Sequence, residues 1–293
     1  MIPKEVINQI AKTLQNEQLS TDFYDEVENL ILNSLKDVSK KNNLLLNSLN
    51  FFFAGDHVLN TNILNFSPLV IFVSLKQKKE DIISYKKSQN LSKTAQQFLT
   101  KTSVITAELI AQALFESLQI ELTKQDKIYI ANNILVVNIS GKIKLKIIVG
   151  YQFEEQFEYE YLGKYYTENI LELFSLYDKK DEECGYFYDF VRILKSMELE
   201  LFQNNIVKDK YFDILYFVEN LVYNIPSNLL KTEDFYTAFI NGVNYLKNAD
   251  IKEFLLPNGT RMFNEEKNSQ YSLLKAIIFI KRMTIFYENY QKL

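Results

Sequence analysis

The sequence is poor in several residue types, and each shortage removes a class of protein. One Cys and one His among 293 residues exclude a disulfide scaffold and leave no Cys/His set for a structural zinc. Seven Gly and four Pro exclude collagen-like and Gly/Pro-rich low-complexity chains. Only three of the 33 basic residues are Arg (Arg192, Arg261 and Arg282), there is no Trp, and Asn is abundant. That bias is expected of an AT-rich genome, so the lysines are not by themselves a nucleic-acid signature. A net charge of −4 argues against a broad basic footprint for DNA. The longest apolar runs, such as Pro68 to Val73, are the length of a strand and too short for a bilayer. The opening Met-Ile-Pro-Lys-Glu has neither the basic nor the apolar part of a signal peptide, so the expectation is a soluble, cytoplasmic protein without a membrane partner.

What is present is an apolar core. With 47% hydrophobic residues, 22 Phe and 19 Tyr, the chain can bury one large core or two modest ones and cannot remain disordered. Residues 20–40 carry Phe23, Val27, Leu30, Ile31, Leu35 and Val38 at three- and four-residue spacing, which predicts a helix with Ser20 or Thr21 as its cap. Leu49 to Ala54 and Pro68 to Leu75 read as strands covered on both faces. Thr106 to Leu118 reads as a second helix. Residues 127–139 and 142–149 read as two strands joined at Ser140-Gly141, and 153–161 as a further strand. In Lys142-Ile-Lys-Leu-Lys-Ile147 the lysines alternate strictly with apolar residues, the pattern of a half-exposed strand.

Beyond Thr167 the period becomes helical. Stripes run through Phe187, Phe190, Val191, Leu194 and Leu201, then Phe212, Leu215, Val218 and Val222, then Phe235, Phe239, Val243 and Leu246. Thr232 is the expected cap of the third, and Leu273, Leu274, Ile277, Ile278 and Phe286 predict a last helix. The fold class is therefore α+β: a mixed-sheet domain over residues 1–165 and a helical bundle over 166–293.

Four collinear segments resemble nucleotidyltransferases of the DNA polymerase β superfamily. Phe51-Phe-Phe-Ala-Gly55-Asp56 is similar to the first strand and its Gly-Ser turn. Ser67-Pro-Leu69-Val-Ile-Phe-Val73 is similar to the strand that carries two carboxylates. Asn138 to Val149 is similar to the strand with the third acid. Phe187-Tyr-Asp-Phe-Val-Arg192-Ile-Leu-Lys195 with the following helices resembles the helical domain of 2′-5′-oligoadenylate and cyclic-oligonucleotide synthetases. The resemblance implies a site where three carboxylates hold two Mg²⁺ ions for phosphoryl transfer, and a basic residue on the Arg192/Lys195 helix that holds a triphosphate.

At the positions the resemblance assigns to the acids this chain has Ser67, Leu69 and Lys146, with Lys144 as the alternative register. Asp56 stands where the phosphate-binding Ser would be. A Leu cannot ligate a hard cation and an ammonium opposes one. The expectation is a degenerate nucleotidyltransferase with no metal and no cofactor, not an enzyme, that binds a protein partner, a nucleotide or RNA. The phosphate-binding candidates are Gly55, Asp56, Lys144, Lys146, Arg192 and Lys195. Two other readings stay open: an active enzyme using Asp56, Asp81 or Glu154, and a scaffold that docks a partner through its helical half. His57 and Cys184 read as structural, and Tyr161 to Tyr166 as a weak base-stacking signal.

Overall fold

A computed structural model describes residues 3–7, 19–42, 48–59, 61–63, 67–76, 106–124, 126–131, 133–139, 144–153, 156–161, 164–211, 214–263 and 271–289. The chain divides into two compact units. One comprises Leu19–Ala54 and Pro68–Asn169. The other comprises Met1–Gln18, Gly55–Ser67 and Ile170–Leu293. The last segment of the helical unit begins at Ile170, and the unit also takes two segments from the N-terminal half.

The sheet unit holds helix α1 (Thr21–Lys41), strands β1 (Leu49–Ala54) and β2 (Leu69–Lys76), helix α2 (Ala107–Glu121), and strands β3 (Lys127–Ala131), β4 (Ile134–Asn138), β5 (Lys144–Phe153), β6 (Gln156–Tyr161) and β7 (Lys164–Glu168). The sheet order is β1-β2-β5-β4-β3, with β6 on β5 and β7 on β6, and only β2 and β5 run parallel. Ser20 Oγ accepts the Phe23 N–H and Thr106 Oγ accepts the Leu109 N–H, so each helix begins at a side-chain cap. Phe23, Val27, Ile31, Leu35 and Val38 of α1 and Ile110, Leu114 and Leu118 of α2 pack on one sheet face against Leu69, Ile71, Val73, Leu145, Ile147 and Val149.

Several expectations change here. β1 is an edge strand among the described residues, with three half-buried positions, and is not a strand buried on both faces. Residues 127–139 form two antiparallel strands rather than one, with five-residue arms that pair from Lys127 beside Asn138 to Ala131 beside Ile134. Ser140-Gly141 lies outside the described residues, although β4 and β5 pair antiparallel around it.

The helical unit contains α3 (Ile170–Cys184), α4 (Phe187–Gln203), α5 (Phe217–Tyr223), the single turn α6 (Ser227–Leu230), α7 (Phe235–Asn248) and α8 (Leu273–Asn289). All five residues of the α4 stripe are buried. Gly242 of α7 lies against the Phe190 ring, where an added Cβ would come within 2.4 Å of Phe190 Cε2. α5 is shorter than its stripe implied. Tyr216 takes a left-handed conformation (φ 54°) that bars helix before Phe217, and Phe212 is outside the described residues. The α7 cap is Asp234, which accepts the Thr237 N–H, rather than Thr232, whose hydroxyl instead donates to the Asp234 carbonyl. α8 turns Ala276, Phe279, Ile280, Met283 and Phe286 inward and leaves Leu274 66% exposed, because its core face is rotated from the one that its Leu and Ile spacing indicated. No helix among the described residues is long and apolar enough to cross a membrane.

Candidate functional site

In the sheet unit the strand register decides which residues can meet. Leu69 pairs beside Leu145 and Val70 beside Lys146. Neighbours in register point to the same face, and the period of two sends Leu69 to the helices and Lys146 to the opposite side. Leu69 is accordingly fully buried in the core with α1 and α2. The expectation that Leu69 and Lys146 mark one site is therefore corrected by one residue. The residue of this strand that stands beside Lys146 on its face is Val70. The sequence could not phase this strand, because every residue from Leu69 to Leu75 is buried whichever way it faces.

A hard divalent cation needs oxygen ligands, typically carboxylates. Val70 and Lys146 offer none from their side chains, and β2 and β5 contain no Asp or Glu at all. Further along this face, Phe52, Phe72, Phe157 and Tyr159 stack edge to face and tilted, with centroids 4.7 to 5.7 Å apart. Gly150 fits beneath them only for want of a side chain, since a Cβ would lie 2.8 Å from Phe157 Cζ and 2.4 Å from the Glu158 carbonyl oxygen. These residues do not fit the Mg²⁺ ions that the fold implies. Among the described residues no three His, Cys, Asp or Glu converge as a metal site.

In the helical unit the segment Gly55–Ser67 carries a second constellation. Gly55 adopts φ 73°, a conformation that favours glycine, and its N–H donates to the Tyr216 hydroxyl at 3.3 Å. The Asp56 carboxylate accepts from Ser67 Oγ at 2.8 Å and from Lys195 Nζ at 2.9 Å. The same ammonium reaches Glu219 Oε1 at 2.6 Å and Thr61 Oγ1 at 3.2 Å, so its three donors are all engaged. Thr61 in turn donates to Glu219 at 2.7 Å. Lys195 is 1% exposed and Glu219 not at all. Burial opposes the lysine charge, but the fields of Asp56 and Glu219 outweigh it and hold the ammonium above its ordinary pKa.

His57 is also buried, and burial lowers its pKa below the usual histidine value. It is neutral at pH 7. Because its Nε2 faces the Ser67 carbonyl at 3.0 Å, Nε2 carries the proton and donates it. Ser67 thus spends its hydroxyl on Asp56, accepts the Ile63 N–H, and presents its carbonyl to His57. Arg192 is nearly buried and pairs with Asp189 one turn earlier on α4. Cys184 is buried, which raises its thiol pKa and keeps it protonated.

The six phosphate-binding candidates are divided between the two units. Gly55, Asp56 and Lys195 come together, but as an internal ion pair in which two carboxylates face one ammonium. Arg192 has a carboxylate of its own. Lys144 and Lys146 sit on the sheet face, Lys144 exposed and Lys146 half-buried. Asp81 and Glu154 lie outside the described residues, as do residues 162–163 between β6 and β7. Glu219 and Thr61 were not foreseen. The available signal was a lone carboxylate inside the apolar run Phe217-Val-Glu-Asn-Leu-Val, which has to find a cation if that run is buried.

Comparison with known proteins bears on the whole chain. Residues 176–288 match the family of C-terminal helical domains of cGAS/DncV-like nucleotidyltransferases. The chain superposes on the Elizabethkingia meningoseptica CdnE cyclic dinucleotide synthase with a TM-score of 0.69, at 15% identity and over 100% of both chains. Rhodothermus marinus CdnE, a c-UMP-AMP synthase, gives 0.68 at 16% identity, covering 100% of this chain and 98% of that one. Escherichia coli CdnC, in a complex with a HORMA protein, gives 0.61 at 12% identity over 98% and 96%. Comparison with curated protein sequences finds no match. The fold is thus that of the nucleotidyltransferases, a mixed sheet followed by a helical domain.

Proposed function

We propose that this chain is a nucleotidyltransferase-fold protein that has lost two-metal phosphoryl transfer and serves as a binding module. The observation that carries the reading is the sheet face on which Val70 and Lys146 stand side by side and no carboxylate stands on β2 or β5. The Asp56 clamp supports it. The turn that would approach phosphates carries a carboxylate, and the nearby ammonium is neutralised by two acids. The test is to incubate the full chain with Mg²⁺ or Mn²⁺ and each NTP, alone and in pairs, and to resolve products chromatographically. No specific product is expected. A cyclic or linear oligonucleotide formed in proportion to protein overturns the reading and returns catalysis to acids elsewhere in the chain.

A second reading, that the helical unit docks a protein, is favoured by one observation. Leu274, Ile277 and Ile285 leave an exposed apolar stripe along α8. One relative of this fold, CdnC, is found with a HORMA protein. Under this reading Leu274→Glu abolishes co-elution with a partner while leaving the melting temperature unchanged.

A further inference from the structure

The face of β3, β4 and β5 turned away from α1 and α2 has a composition unlike the rest of the sheet. Register sets Lys127 beside Asn138 and Asn138 beside Lys144 in one row, and Tyr129 beside Val136 and Val136 beside Lys146 in the next. With strands about 4.8 Å apart and a rise of about 3.3 Å per residue, Lys127 and Lys144 stand about 10 Å apart and Lys144 and Lys146 about 7 Å. Lys127 and Lys144 are exposed and Lys146 is half-buried. The remaining positions of these strands on this part of the face are aliphatic or amide, and β3, β4 and β5 themselves contain no Asp or Glu. Tyr129 is 48% exposed and is the one aromatic ring among the strongly exposed large apolar side chains of the described residues.

Ammonium groups at this spacing around an open aromatic ring have the makings of a platform for an unpaired strand, whose phosphates take cations and whose bases offer π-faces. A duplex hides its base faces, and an acidic peptide would use the lysines but leave Tyr129 idle. We propose that this sheet face binds single-stranded oligonucleotide, with Lys127, Lys144 and Lys146 on successive phosphates and Tyr129 stacked on a base. The inference deepens the binding role proposed above but does not stand or fall with loss of catalysis, because turnover and binding are read in separate assays.

The experiment is fluorescence anisotropy of a short 5′-labelled oligoadenylate titrated with the full chain over a series of KCl concentrations. Three phosphate contacts give a log–log salt slope of about −2, from roughly −0.7 per contact on single strands. The K127Q/K144Q/K146Q variant is expected to flatten that slope towards zero, and each single substitution to remove about a third of it. The singles keep the test open if the triple variant does not fold. Tyr129→Ala is expected to weaken binding about tenfold at an unchanged slope, as loss of one stacked base does, and Tyr129→Phe to retain affinity. A merely structural role would not separate slope from affinity in this way. The proposal is overturned if the probe does not bind at low salt, if the lysine variants keep the wild-type slope, or if duplex RNA or polyglutamate competes as well as unlabelled single strand.

Discussion

Replacing Lys195 by Met keeps the apolar stem and deletes the ammonium at the centre of the Asp56–Glu219–Thr61 cluster. The wild-type contacts are 2.9 Å to Asp56, 2.6 Å to Glu219 and 3.2 Å to Thr61, around a side chain that is 1% exposed. Breaking a buried pair by removing one partner costs about 3–5 kcal/mol, and here two carboxylates are stranded, so the upper half of that range is expected. At about 2–4 °C per kcal/mol for a protein of this size, the melting temperature should fall by on the order of 10 °C. Because the lysine pKa is raised in the folded state, its contribution is complete below the unfolded value of 10.5 and is lost only as pH rises through the higher folded value. The deficit should therefore be present in full at pH 7. Urea unfolding at pH 7 measures it. Adding Glu219→Gln to Lys195→Met removes one stranded charge and should recover at least about 1 kcal/mol, a coupling that a double-mutant cycle isolates. A loss below about 1 kcal/mol, or strict additivity of the two substitutions, would show that these groups do not depend on one another and would refute the reasoning.

Two further perturbations probe neighbouring features. His57 has a folded pKa below its unfolded 6.5, so its contribution is present above pH 6.5 and lost as pH falls towards the folded value. His57→Gln should flatten the acid limb of stability as pH falls below 6.5, by up to about 1.4 kcal/mol per pH unit, read from urea midpoints. Gly150→Ala pushes a methyl group against the Glu158 carbonyl at 2.4 Å, a backbone atom held by the β5–β6 ladder, and should cost about 1–3 kcal/mol or more in urea unfolding. An unchanged midpoint would mean that β6 can move away.

Helices and strands were legible wherever one face met solvent. The α1 stripe, the α4 stripe and the strict Lys/apolar alternation at the start of β5 each fixed both element and face, since burial on one side leaves a period to read. β2 shows the opposite case. It is buried throughout, so the sequence revealed a strand but not its phase, and the register sets Val70 rather than Leu69 beside Lys146. Lys195 misled for a related reason. Three residues from Arg192 on a helix it resembled a basic surface pair, and only the arrival of Asp56 and Glu219 from distant parts of the chain turns it into a buried ion. Contacts 139 and 24 residues away in sequence leave no local period.

Residues 55–67 lie between two neighbouring strands of the sheet yet belong to the helical unit, so the polypeptide passes from one body to the other four times. A fragment begun at residue 170 would keep Lys195 and Glu219 but lack Asp56 and Thr61. Severing the chain there would produce not a smaller protein but one with an open wound in its interior. Transplanting the helical half onto another sheet would succeed only if the recipient brought its own version of that thirteen-residue excursion.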